Sequence, residues 1–250
     1  MNCLHHPRNR RYATLVLCLA TIALACLRPQ IASADRRLYV WSYGYGTTFP
    51  SEMEMEHTLT STTLDAQDPG TTSWEQRIEL EVGLTRHWDF AYYQIFSQPA
   101  DGSFHYDAFQ IRSRIRFGEA GRWPVDPLIY LEYRRSSRFT EPHEFEAKLV
   151  LERGFKRVNA ALNLTEEVVF APGVEFETAY SAGVSVQLHP IISLAAEAFG
   201  DLAGEDAKAH YLGPTVSISM DRWFFDIGAG IGLNSASADV KARAMVGIEF

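Results

Sequence analysis

Titratable side chains recur at every second position in several separate stretches of this chain. Glu52, Glu54 and Glu56 form one such run, and Glu75, Arg77, Glu79 and Glu81 a second. Arg112, Arg114 and Arg116 make a basic ladder, and Glu132, Arg134, Glu144, Glu146, Lys148, Glu175, Glu177, Glu197, Lys241 and Arg243 continue the habit. A period of two places each run on one face of a β-strand. Three kinds of chemistry are open to such faces. Neighbouring carboxylates could imitate a glycosidase pair. A ring of acids could ease a cation through a water-filled path. Glutamates and arginines could also neutralise one another as a closed internal scaffold. His57, His87, His105, His143, His189 and His210 are scattered and fall in no zinc-binding or nucleophile motif, so no catalytic residue is expected. No metal site and no cofactor are expected either, since carboxylates alone would hold hard ions only weakly. Gly228, Gly230 and Gly232 precede no helix and no Gly-Lys-Ser/Thr, which excludes a phosphate loop. They would widen an interior or make room for long side chains reaching across from the arginine-rich strand.

The residues between the charges are what give these runs a place to sit. Trp74, Ile78, Leu80, Val82 and Leu84 alternate with Glu75, Arg77, Glu79 and Glu81, and Phe109, Ile111, Ile115 and Phe117 alternate with Gln110, Arg112, Arg114 and Arg116. About twelve such strands follow one another: 52–60, 74–84, 88–98, 104–117, 128–135, 144–152, 158–165, 175–188, 191–200, 210–220, 223–233 and 240–250. The breaks at 85–87, 153–157, 189–190 and 221–222 are short. Those at 61–73, 99–103, 136–143, 201–209 and 234–239 are longer, and alternate with the short ones as the two ends of an up-and-down barrel require. Gly118 to Asp126 is a longer exception on the short-turn side. Trp88, Phe90, Phe117, Phe155, Trp223, Phe225 and Phe250 gather beside the short turns, and Trp74, Tyr133, Phe145 and Phe176 near the other end, as two interfacial girdles would. Strands of nine or more residues match the length of a tilted membrane crossing. The competing reading is a soluble sandwich with aromatics in its core. Charge this dense facing lipid would cost a few kcal/mol per mid-membrane Arg or Lys, so in a membrane barrel it lines the interior. The expected lumen-lining residues are Glu54, Glu56, Arg77, Glu79, Glu81, Arg112, Arg114, Arg116, Glu132, Arg134, Glu146, Lys148, Glu177, Lys241 and Arg243. Twelve strands close at roughly 24 Å across the backbone, which leaves a narrow bore at most.

Residues 1–34 read as a secretory leader, with Arg8, Arg10 and Arg11 ahead of an apolar run from Thr14 to Leu27 and a small-residue cleavage site at Ala32-Ser33-Ala34. All three cysteines, Cys3, Cys18 and Cys26, fall inside it, so no disulfide or thiolate site is expected beyond it. The leader takes Arg8, Arg10, Arg11 and Arg28 and no acid, leaving 19 of the 23 basic residues against 31 acidic ones. That excess disfavours nucleic acid as a partner. The expected organisation is a leader over 1–34, a periplasmic N-terminal segment over 35–51 that includes Tyr43-Gly44-Tyr45-Gly46, and a barrel over 52–250.

The leader, Tyr39-Val40-Trp41 running into Glu52-Met53-Glu54-Met55-Glu56, the Glu-rich second strand and the terminal Gly247-Ile248-Glu249-Phe250 resemble a family of bacterial outer-membrane β-barrels of unassigned function. The chain is also distantly similar to porin-like barrels linked to phenol-degradation genes, which are thought to pass hydrophobic solutes. The resemblance implies a closed, antiparallel, all-β barrel exported through the periplasm, with outer-membrane lipid around it. It implies contact with the barrel-assembly machinery through the last strand, where Phe250 is part of the insertion signal. The leading expectation is a small passive channel or transport accessory with an acidic lumen, open to small solutes. A non-conducting structural or adhesion barrel and a membrane-embedded hydrolase stand as alternatives.

Overall fold

The computed structural model describes residues 37–204 and 208–250; the leader over 1–34 lies outside the described residues. Twelve strands follow in chain order: β1 (Met53–Thr63), β2 (Thr72–Thr85), β3 (Trp88–Gln98), β4 (His105–Arg116), β5 (Asp126–Ser136), β6 (His143–Phe155), β7 (Val158–Phe170), β8 (Val174–His189), β9 (Ile192–Ala203), β10 (His210–Met220), β11 (Trp223–Gly232) and β12 (Val240–Glu249). Each pairs antiparallel with its neighbour in sequence, and β1 pairs with β12 from Glu54↔Glu249 to Thr63↔Val240, so the sheet closes and no edge is left.

Closure turns the period-2 pattern into an inside and an outside. Exterior positions hold exposed Leu80, Ile111, Leu164, Ile227 and Ile231, the last two more than 60% accessible. Interior positions are polar and buried: Glu56, Glu81, Asp89, Gln110, Arg112 and Asn163 are all at 1% or below. A water-soluble sandwich sorts its faces the opposite way.

Strand β7 runs five residues past the expected end at Thr165, and β8 begins at Val174, so only residues 171–173 connect them. The alternation is lost at Glu166-Glu167 because Glu166 stands on the outer face above the apolar belt, while Glu167 pairs with Glu177 across the ladder inside. The long turn between β4 and β5 is held by Asp126, which accepts from the Gly121 and Trp123 amides at 2.7 and 3.4 Å, and by the Trp123 indole, which donates to the Phe117 carbonyl at 2.8 Å.

The largest departure from the sequence reading concerns the N-terminal segment. Rather than standing apart on the periplasmic side, residues 37–48 run inside the barrel. The chain leaves the lumen over Gly83, where an added Cβ would overlap the Phe49 carbonyl, and turns at Ser51 (φ 72°) into β1.

Candidate functional site, a lumen occupied by the N-terminal segment

The segment is gripped mainly through its backbone. Glu197 on β9 accepts from three successive amides, Val40 through Oε1 at 2.8 Å and Trp41 and Ser42 through Oε2 at 3.0 and 2.9 Å, and Thr215 donates to Oε1 at 2.6 Å. One buried carboxylate thus satisfies donors that would otherwise be stranded in the interior. Asn163 on β7 bonds Tyr43 both ways, its Oδ1 accepting from the amide at 2.6 Å and its Nδ2 donating to the carbonyl at 3.0 Å. Glu152 accepts from the Tyr45 amide at 2.5 Å, and Arg243 donates to the Val40 carbonyl at 2.8 Å. Arg37 reaches Glu56 at 2.5 Å, Tyr39 donates to Asn159, and the Thr48 hydroxyl donates to Glu81.

Ring contacts complete the seal. Trp41 stacks on Phe199 at 4.2 Å, Phe199 on Tyr211 at 5.0 Å, and the Arg243 guanidinium lies 4.2 Å above Trp41. Tyr43 packs beside Tyr130 at 4.8 Å, with Lys148 Nζ 4.7 Å from one ring and 4.4 Å from the other. Tyr39, Val40 and Tyr45 are almost wholly buried as a result. Toward the short-turn end the lumen opens into a cavity of about 580 Å³, bounded by the segment itself and by Arg114, Arg116, Lys156 and Asn159.

The wall beside the segment divides in two. On β2 to β4, Arg112 reaches Glu79 at 3.0 Å, Glu81, and Asp89 at 3.7 Å, while Arg114 pairs with Glu81 and with Asp89 at 2.7 Å. Arg112, Glu81 and Asp89 have essentially no solvent contact. On β7 to β11 much of the interior face is small, with Ala161, Ser181, Gly183, Ser185, Ser193, Ala195, Ser217 and Gly228, interrupted by Asn163, Glu197, Phe199, Tyr211, Phe224 and Asp226. The volume those side chains do not fill is where the segment lies. Gly183 and Gly228 mark the tightest approaches. A Cβ on Gly228 would lie 2.5 Å from Val40 Cγ2, and one on Gly183 would overlap the Tyr39 ring.

Beyond the segment, toward the longer connections, the lining is wet. Arg77 and Glu75 pair at 2.7 Å and Arg134 bridges Asp107 and Glu144 at 2.7 and 3.1 Å, with each of these side chains 23–30% accessible. Register places Glu132, Glu146, Glu167 and Glu177 side by side on four consecutive strands, β5 to β8. Lys148 reaches Glu146 at 2.9 Å.

Solved structures bring this geometry into a known group. An outer-membrane channel from Pseudomonas putida F1 superposes with a TM-score of 0.62 at 10% identity, covering 85% of this chain and 100% of the channel. The fold is that of outer-membrane porin-like barrels. The KdgM porin in complex with disordered oligogalacturonate gives 0.54 at 10% identity over 80% and 98% of the two chains, and the NanC porin 0.52 at 10% over 79% and 98%. No family model matches this sequence, and no curated protein does.

In this porin-like barrel every residue expected to line the lumen lies on an interior strand position, but they do not form one site. Glu54, Glu56, Glu79, Glu81, Arg112, Arg114 and Arg116 belong to the dry half beside the segment. Arg77, Glu132, Arg134, Glu146 and Glu177 belong to the wet half together with Lys241, which pairs with Thr62 near the longer connections and lies 4.9 Å from the Tyr211 ring, while Lys148 joins this half to the segment at the Tyr43 ring. Arg243 touches the segment directly. Glu56 is taken by Arg37, which removes it from any glycosidase-like pair. Among the described residues no group of three or more His, Asp or Glu is placed to hold a metal ion.

Glu197, Glu152, Asn163, Asn159 and Asp89 were missed as anchors. The readable signal was the small interior faces of β7 to β11, interrupted by Asn163 and Glu197. The glycines at 228 and 230 make room for Val40 and Phe199, not for side chains of the arginine ladder. Gly183→Val is accordingly expected to drive Tyr39 out of its seat and to speed chymotryptic cleavage of the segment by about fivefold or more, the overpacking acting on the segment rather than on the ladders. Cleavage at the wild-type rate would place the segment's hold elsewhere.

Proposed function

We propose that this protein is a bacterial outer-membrane channel for small solutes, passive in operation, with residues 37–48 forming a resident constriction. The observation that carries the reading is how the lumen is filled. The interior is blocked by one continuous segment held through reversible polar contacts, lying where much of the wall opposite β2 to β4 has small side chains and Asn163, Glu197 and Phe199 reach in to hold it. A barrel meant as a permanent scaffold would fill that space with side chains of its own wall. The apolar exterior supports lipid as its surroundings, and the terminal strand, closed on β1 through paired Met53 and Phe250 backbone bonds, is the end offered to the assembly machinery.

The solute favoured by the wet half is cationic or neutral. Four glutamates side by side lower the energy of a passing positive charge and raise that of a negative one. An acidic oligosaccharide, such as the oligogalacturonate in the KdgM complex, is disfavoured by the same row. Passage of hydrophobic solutes is not favoured by an interior this charged. Planar-bilayer recordings of the barrel lacking residues 38–48 under a KCl gradient test the proposal: a reversal potential on the cation-selective side is expected, and adding Glu167→Gln with Glu177→Gln should move it toward zero by about half. Anion selectivity would overturn the solute assignment; a folded barrel that never conducts, even without its constriction, would overturn the channel.

A further inference from the structure

The two rims of the barrel carry opposite charge. Around the longer connections stand Asp65, Asp68, Asp101, Glu141, Glu166 and Asp239 against Arg135, Arg138 and Lys208, whereas the short-turn rim carries Arg86, Arg122, Arg153, Lys156 and Arg222. At that rim the cations are placed beside aromatic rings: Arg86 two residues before Trp88, Arg122 directly before Trp123, Lys156 directly after Phe155, Arg222 directly before Trp223. The four rings are 43–67% accessible, and the four cations are exposed. Lys156 Nζ lies 5.4 Å from the Phe155 ring. Among the described residues no ion pair is formed by Arg86, Arg122, Lys156 or Arg222. The acids of the same rim are largely engaged. Asp126 caps two backbone amides, and Glu119 faces His87 at 3.3 Å and Arg116 at 3.8 Å, which leaves Glu52 and Asp221, with Glu249 bonded through its amide to the Arg222 carbonyl.

Indole rings settle at the level of lipid headgroups, so a cation one or two residues from each ring stands at the level of the phosphates. The turns that carry these pairs join β2 to β3, β4 to β5, β6 to β7 and β10 to β11, so they are spread around the circumference instead of forming one patch. A single small anion could not engage them all. A leaflet of anionic headgroups could, with each cation adding to the attraction.

We infer that the short-turn rim is a collar for anionic phospholipid headgroups, each cation-aromatic pair seating one phosphate while its ring packs against the acyl boundary. The inference rests on the membrane reading of the barrel, though not on conduction. In native mass spectrometry of the full processed chain, with phosphatidylglycerol and phosphatidylcholine supplied in equal amounts, phosphatidylglycerol should be retained over phosphatidylcholine by at least about fivefold. The variant Arg86→Gln, Arg122→Gln, Lys156→Gln, Arg222→Gln should bring the ratio to within about twofold of unity, and the paired variants Arg86→Gln/Arg122→Gln and Lys156→Gln/Arg222→Gln should each lose part of it. Heat-modifiable migration of each variant verifies that the barrel is closed. Equal retention by the wild type, or a preference untouched by the substitutions, overturns the collar. So does displacement of the lipid by millimolar inorganic phosphate, which would mark the rim as a general anion surface. A chain soluble without detergent would overturn the membrane reading itself, a failure distinct from the loss of lipid preference in a folded barrel.

Discussion

Deleting residues 38–48 will convert a barrel that is nearly silent in planar bilayers into one with discrete conductance steps. The expectation follows from what the segment replaces. Val40, Trp41 and Tyr43 occupy the middle of the lumen, and the small residues between their anchors on β7 to β11, Ala161, Ser181, Gly183, Ala195 and Gly228, cannot close the gap once they are gone. Water fills the space, and the hydrated row at the far end is joined to the 580 Å³ cavity at the near one. A milder variant separates occlusion from collapse. Glu197→Gln keeps the volume but presents an amide, with only one acceptor oxygen, to three backbone donors and the Thr215 hydroxyl. Losing charge assistance and stranding donors costs about 2–4 kcal/mol, so the balance between seated and unseated segment should move by roughly 30- to 1,000-fold. Flickering openings are the expected record. The converse variant, Val40→Cys with Gly228→Cys, joins positions whose side-chain atoms would nearly touch. Placed in the Glu197→Gln background, it should silence the flickering when oxidised and restore it on reduction. Should the deleted barrel remain heat-modifiable yet silent, the blockage lies in the wall and the scaffold reading replaces the channel.

How much of this was legible in the chain depended on whether the controlling contact was local. A strand's inner and outer faces are written in consecutive residues, so twelve strands and the interior placement of Arg112, Glu81 and Glu177 could be read directly. The alternation of short and long connections added the direction of each strand. The path of residues 37–48 has no such signature. It follows no period, and its anchors, Glu152, Asn163 and Glu197, lie more than 100 residues away in sequence. Glu197 looks like one more acid of a lumen face until three amides converge on it. Asn163 is one isolated amide on an inward face until Tyr43 bonds it both ways. The clue that remained was a deficit of volume: serines, alanines and glycines facing inward on five consecutive strands cannot fill a barrel of this girth. A deficit states that something is there without stating what.

Arg112 carries the second large effect, and it falls on the barrel wall rather than on the segment. Its guanidinium has no solvent contact and faces Glu79, Glu81 and Asp89, with the rings of Tyr93, Tyr130 and Tyr43 5.7–6.0 Å away. Arg114 shares two of these carboxylates, so a single substitution leaves one cation for three acids in a dry pocket. Removing one partner of a buried charge network costs about 3–5 kcal/mol, because the acids that stay behind have lost both water and counter-charge. Arg112→Met keeps the length and apolar bulk of the stem and should lower the free energy of unfolding, read from urea titration, by that amount. The cost comes from uncompensated charge and not from a cavity. Arg112→Met combined with Glu79→Gln and Glu81→Gln, which leaves Arg114 facing Asp89 alone, should therefore recover most of it, whereas adding Arg114→Met to Arg112→Met should deepen the loss. Unfolding followed by loss of heat-modifiable migration measures the three variants against the wild type. If the triple variant proved no more stable than Arg112→Met, packing against the three tyrosines would be the larger contribution of Arg112, and the ladder that looks electrostatic would owe its stability to the arginine stem.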